Sequence, residues 1–88
     1  MEIKKGQRFL VTQDIDLDPG TMRFNRLFAG CKFVVKRVFH MPRISSTRLV
    51  DIKYDSSYGK WAGIADMIGL KLLQKLIEEG KIVEVIGE

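Results

Sequence analysis

The first residues whose spacing suggests chemistry are Asp14, Asp16 and Asp18 with Gly20 behind them, because alternating carboxylates open calcium-binding loops. The pattern fails where such a loop is most demanding: Pro19 stands at the sharp-turn glycine position, and Asn25 where a bidentate glutamate would close the site. Alternate acids are also what the exposed face of a strand displays, and that reading needs no ion. Cys31 is the only cysteine and His40 the only histidine, so a zinc site would have to borrow two carboxylates to reach four ligands. A Cys31 nucleophile would need His40 beside it, whereas a small apolar packing role asks nothing further of the chain. With no catalytic constellation, no metal site and no cofactor implied, the chain is expected not to be an enzyme.

Binding chemistry has two candidates. Between Pro19 and Val50 there is no acidic residue, while Arg23, Arg26, Lys32, Lys36, Arg37, Arg43 and Arg48 all lie there. Interleaved with Phe24, Phe28, Phe33 and Phe39, they could join phosphate contacts to base-stacking surfaces, although phenylalanines in so small a domain usually serve the core. The second candidate is Tyr54, Tyr58, Lys60 and Trp61, the composition of a protein-binding hot spot at a hairpin tip, unless Trp61 covers the end of the core. Another protein is the leading expectation for the partner, nucleic acid the alternative, and a homo-oligomer through the last strand a third.

Those residues must be positioned by the elements that periodicity predicts. Arg8 to Gln13 reads as a strand with Phe9 and Val11 on one face, and Asp18-Pro19-Gly20-Thr21 as a turn. Met22 to Ala29 fits neither period. Cys31 to Met41 is a long strand with Phe33, Val35, Phe39 and Met41 on one side and Val34, Val38 and His40 on the other, ended by Pro42. Arg48 to Tyr54 alternates cleanly, with Val50, Ile52 and Tyr54 inward, and Asp55 to Gly59 forms a hairpin loop returning through Lys60 to Ile64. Asp66 is placed to cap a helix over about 67–79, with Leu70, Leu72, Leu73, Leu76 and Ile77 on one side and Gly80 as its C-terminal stop. Lys81 to Ile86 resumes alternation as a final edge or closing strand. The expected fold is mainly β with one helix: a small SH3-like barrel or strongly bent antiparallel sheet, with a flat sheet carrying the helix on one face as the alternative.

The 88 residues are expected to form a single domain over 1–88, since 45% hydrophobic content suffices for one core and no linker interrupts the chain. Fifteen Lys and Arg against eleven Asp and Glu leave a formal charge of +4. A lone cysteine, no signal-peptide pattern and no apolar run long enough to cross a bilayer predict a cytoplasmic protein without a membrane partner.

Three stretches carry a resemblance: Gly6-Gln7-Arg8-Phe9 opening a strand, Phe28-Ala29-Gly30 leading into Phe33-Val34-Val35, and the closing Leu73-x-x-Leu76-Ile77-x-x-Gly80-x-Ile82. The pattern resembles small bacteriophage or prophage proteins with an SH3-like β-barrel and a late helix. That resemblance implies an accessory protein acting on a host or defence protein in the host cytoplasm, and less often on DNA or RNA. It transfers no functional residue, because the shared positions are structural glycines and core residues. Mimicry of DNA is disfavoured by the basic balance.

Overall fold

Runs rich in Val, Ile, Phe and Leu build seven strands around one helix in the computed structural model, which describes residues 1–17, 26–43, 46–55 and 62–87. The strands are β1 (Arg8–Val11), β2 (Ile15–Asp16), β3 (Arg26–Leu27), β4 (Lys32–Phe39), β5 (Leu49–Tyr54), β6 (Ala65–Gly69) and β7 (Ile82–Glu84); helix α1 (Leu70–Glu78) lies between the last two. Among the described residues, β6-β5-β4-β1-β7 form one five-stranded sheet, and β2 and β3 form a two-stranded sheet beside it. All the pairings are antiparallel.

The side chains that face the helix form the core. Phe9 and Val11 of β1, Phe33 and Val35 of β4, Val50, Ile52 and Tyr54 of β5, Ile68 of β6 and Ile82 of β7 are buried there with Leu73 and Leu76 of α1. Phe9 and Phe33, paired across β1 and β4, stack with centroids 5.6 Å apart, a geometry that adds to simple burial. The two-stranded sheet contributes Ile15 and Leu27 to the same cluster, and Cys31 is fully buried in it.

Neither the SH3-like barrel nor the strongly bent sheet is what forms. The five-stranded sheet is open: its outer members β6 and β7 do not pair with each other, and α1 joins them instead. The helix takes up the face that a closed barrel would have turned in on itself, burying Leu73 and Leu76 against the sheet with Leu70, Leu72 and Ile77 packed alongside. The arrangement is therefore the sheet with a helix on one face.

The start of the helix differs from the periodic reading for a local reason. The helix starts at Leu70, not Met67, because the β5–β6 ladder runs on through Gly69 and even the Leu70 N–H donates to the carbonyl of Arg48 at 3.0 Å. Asp66 is accordingly not a helix cap: Gly69 occupies that position and offers no side chain. The described return strand is Ala65–Gly69, with its ladder beginning where Tyr54 N–H donates to the Ile64 carbonyl at 3.0 Å, and Lys60 and Trp61 of the predicted strand lie outside the described residues. The predicted turn at Asp18 to Thr21 and the tip Ser56 to Gly59 lie outside the described residues.

At the other end of the helix, Gly80 adopts φ +74°, its N–H donates to Ile77 O and that of Lys81 to Leu76 O, both at 3.0 Å. This pair of bonds satisfies the last free carbonyls and turns the chain into β7.

Candidate protein-binding face

The decisive local event is a β-bulge in β4. Phe33 pairs with Tyr54 and Val35 with Ile52, but the register then slips between Val35 and Arg37, so that Arg37 pairs with Asp51, Val38 with Val50 and Phe39 with Leu49. One extra residue reverses which side each later side chain faces. Val38 therefore follows Phe33 and Val35 towards the helix, and Phe39 is carried to the opposite face, contrary to the alternation expected of Cys31 to Met41.

The helix-free side of the sheet consequently carries Phe39, Leu49 and Met67 at the β4-β5-β6 end. Leu49 is only 8% exposed and yet is absent from the core cluster, because it lies on this outer side across from Phe39. Met67 is 37% exposed. The Arg37 guanidinium sits over the Phe39 ring at 4.3 Å and its Nε donates to Asp51 Oδ2 at 2.5 Å, which holds the cation flat against the aromatic surface. Register places Arg8, Lys32 and Lys53 on the same side, as it does Asp51 and Asp55. Arg8 pairs with Asp55. This side thus bears four cations against two carboxylates among the described strand residues and Asp55.

Of the aromatic hairpin site, Tyr54 alone lies among the described residues. Tyr54 is 2% exposed, and its hydroxyl donates to Asp66 Oδ2 at 2.9 Å, so it is a core residue and not a displayed one. Asp66 Oδ1 accepts the N–H of Met67 at 2.8 Å, and those contacts support a carboxylate that is itself buried. Tyr58, Lys60 and Trp61 lie outside the described residues.

Among the described residues, the cations of the basic middle are divided between the small sheet, the large sheet and the β4–β5 connection. Arg26 sits on the small sheet, half-exposed, donating through Nε to Asp16 Oδ1 at 2.5 Å and lying 5.9 Å from the Phe28 ring. That hydrogen bond first, and the Asp16 charge second, hold its guanidinium above the ordinary arginine pKa. Arg37 is paired as described, and Lys32 is half-buried across from Leu10. Lys36 is exposed at the bulge, and Arg43 and Arg48 are exposed on the connection between β4 and β5. Arg23 lies outside the described residues. Of the four phenylalanines, Phe33 is core, Phe28 is 41% exposed on the small sheet, Phe39 is on the outer face, and Phe24 is outside the described residues. Among the described residues no row of stacking platforms runs along the cations.

Two of the three acids that suggested a calcium loop have protein partners, and the third, Asp18, lies outside the described residues. Asp14 Oδ1 accepts the Ala29 N–H at 2.9 Å and Asp16 holds Arg26. Among the described residues no group of three or more His, Cys, Asp or Glu is placed to hold a metal ion, and no helix is long and apolar enough to cross a membrane.

Sequence reasoning missed the outer-face group in which exposed Met67 and half-buried Phe39 adjoin buried Leu49. One signal was present: Lys36-Arg37 interrupts the apolar alternation and leaves Val35 and Val38 three apart, which two-residue periodicity cannot place on one face without a bulge. No family model matches the sequence, and no curated protein or solved structure matches it either; the resemblance to phage proteins is therefore without support, and with the open sheet it no longer describes the fold.

Proposed function

We propose that this chain is a non-catalytic binding module of the cytoplasm whose helix-free sheet face docks an acidic surface of another protein. The observation that carries the reading is the Phe39–Leu49–Met67 group on the side of the sheet that the helix leaves uncovered, with Arg37 stacked on Phe39. Aromatic, methionine and arginine side chains ringed by charge are the composition of interface centres. The excess of cations around them favours a partner bearing carboxylates. Cys31, the single cysteine of the sequence, is buried in the core and in no disulfide, which fits a reducing compartment.

Nucleic acid is the weaker reading. Phosphate contacts would be available, but among the described residues the face offers Phe39 as its aromatic group and Arg37 already lies on it, so the described residues give successive bases no stacking row.

The test is affinity capture by the wild-type chain and by Met67→Glu, with circular dichroism to show that both are folded. An acidic protein retained by the wild type should lose binding on the order of tenfold or more in Met67→Glu, as expected for a charge placed in an interface centre. Equal retention by both would remove this face as the site. Retention that nuclease treatment abolishes would replace the protein by nucleic acid.

A further inference from the structure

The two edges of the five-stranded sheet are finished differently. Along β6, the backbone of Ala65, Met67 and Gly69 faces away from β5, and the central one of those donors, Met67 N–H, is taken by the Asp66 carboxylate at 2.8 Å. The side chain thus occupies the position an incoming strand's carbonyl would need. The strand then passes straight into α1 at Leu70. This edge is blunted.

The β7 edge has no such device. Register pairs Phe9 with Glu84 and Leu10 with Val83, while Val85 N–H donates to Arg8 O at 2.8 Å and Thr12 N–H to Lys81 O at 2.9 Å. The bonded positions are therefore Lys81, Val83 and Val85, and alternation turns the backbone N–H and C=O of Ile82 and Glu84 outward. No other described strand pairs there. There is no proline or bulge on β7, its central outer side chain, Val83, is apolar and 38% exposed, and Ile86 beyond it is 83% exposed. An edge of this kind is a template for strand addition.

We propose that β7 pairs antiparallel with β7 of a second copy of this chain, with Val83 facing the partner's Val83 across the two-fold axis. Charge and register select the second copy. Only even-to-even pairing joins the outward-turned backbone groups of the two strands. Centred on Glu84, that pairing would set two carboxylates directly opposite, which is destabilising. Centred on Val83, it sets Ile82 against the partner's Glu84 and Lys81 against the partner's Val85, with valine against valine in the middle. No like charges then lie directly opposite, and two exposed valine side chains are covered. The two outer faces become parts of one continuous sheet, so the docking face proposed above is duplicated without being covered.

Crosslinking tests the register directly. In the new pairing Val83 is a non-hydrogen-bonded position, with Cα atoms about 4.5 Å apart, inside the separation a disulfide spans. Val83→Cys should therefore oxidise to a covalent dimer, whereas Val85→Cys, whose opposite residue is the partner's Lys81, should not. Sedimentation equilibrium of the wild type should show mass rising towards twice that of one chain with concentration. Glu84→Pro, which removes an outward-facing donor together with a carboxylate that accepts from Gln7 Nε2 at 3.4 Å, and Val83→Lys, which opposes two ammonium groups, should both fold and remain monomeric. Val83→Thr should still dimerise, and so should Ala65→Lys at the other edge. A wild type that stays monomeric throughout, a dimer that survives Val83→Lys and Glu84→Pro, or a dimer in which Val83→Cys does not crosslink would each overturn the proposal.

Discussion

Tyr54 and Asp66 form the one fully internal polar pair described, and they account for two residues whose types pointed elsewhere. A tyrosine beside a predicted loop suggested display, and an aspartate before an amphipathic run suggested a helix cap. Burial decides otherwise, because a carboxylate 7% exposed must be met by donors, and the Tyr54 hydroxyl is one of them. Tyr54→Phe should lower stability by about 1–3 kcal/mol while leaving capture of a protein partner unchanged; urea denaturation and the capture assay read the two effects separately. Loss of capture with unaltered stability would return Tyr54 to the surface role. Arg37 behaves oppositely. Its pair with Asp51 is solvent-exposed, with side-chain exposures of 63% and 27%, so Arg37→Ala should change stability by no more than about 1 kcal/mol yet weaken partner binding, because it removes the cation held over Phe39 that faces the partner's carboxylates.

At the scale of elements, the bulge in β4 and the glycine after α1 carry most of the design. Deleting Lys36 would close the bulge and still leave Val38 facing the helix and Phe39 outward, because Val35, Arg37, Val38 and Phe39 would then alternate strictly. That variant should therefore keep cooperative thermal unfolding, as should Lys36→Ala, and loss of cooperativity on deletion alone would mean that the extra twist of the bulge is needed to seat α1 on the sheet. Gly80 at φ +74° is in a conformation that costs a side-chain-bearing residue about 1–2 kcal/mol. Gly80→Ala should lower the unfolding free energy by about that amount, and a shift in the urea midpoint at constant slope would register it. The space around a Cβ at this position is open, so the cost is conformational and not steric.

For the whole molecule, the open sheet creates an asymmetry that a closed barrel would lack: one face sealed by α1, one face outward, one edge blunted and one free. Cys31 lies at 0% exposure inside the sealed side, so its thiol should react with a disulfide reagent only when the whole core opens. With marginal stability of several kcal/mol, reaction should be at least about a hundredfold slower than in the unfolded chain and should accelerate with urea in step with global unfolding. A fast thiol in the native protein would mean that the Cys31 end of β4 opens locally.

The residues by themselves determined a good deal: the β-rich composition, the inward set Phe9, Val11, Val50 and Ile52, the apolar stripe of the helix, the stop at Gly80 and the edge position of the last strand. Each follows from a period or a backbone preference that acts within a few neighbouring residues. What only the tertiary structure decided was longer in range. The side on which Phe39 emerges depends on a register slip against β5, the start of the helix depends on how far the β5–β6 ladder extends, and the role of Tyr54 depends on Asp66 twelve residues away. Whether the sheet closes was settled by where α1 packs, since the helix and a rolled sheet compete for the same apolar face and only one can cover it.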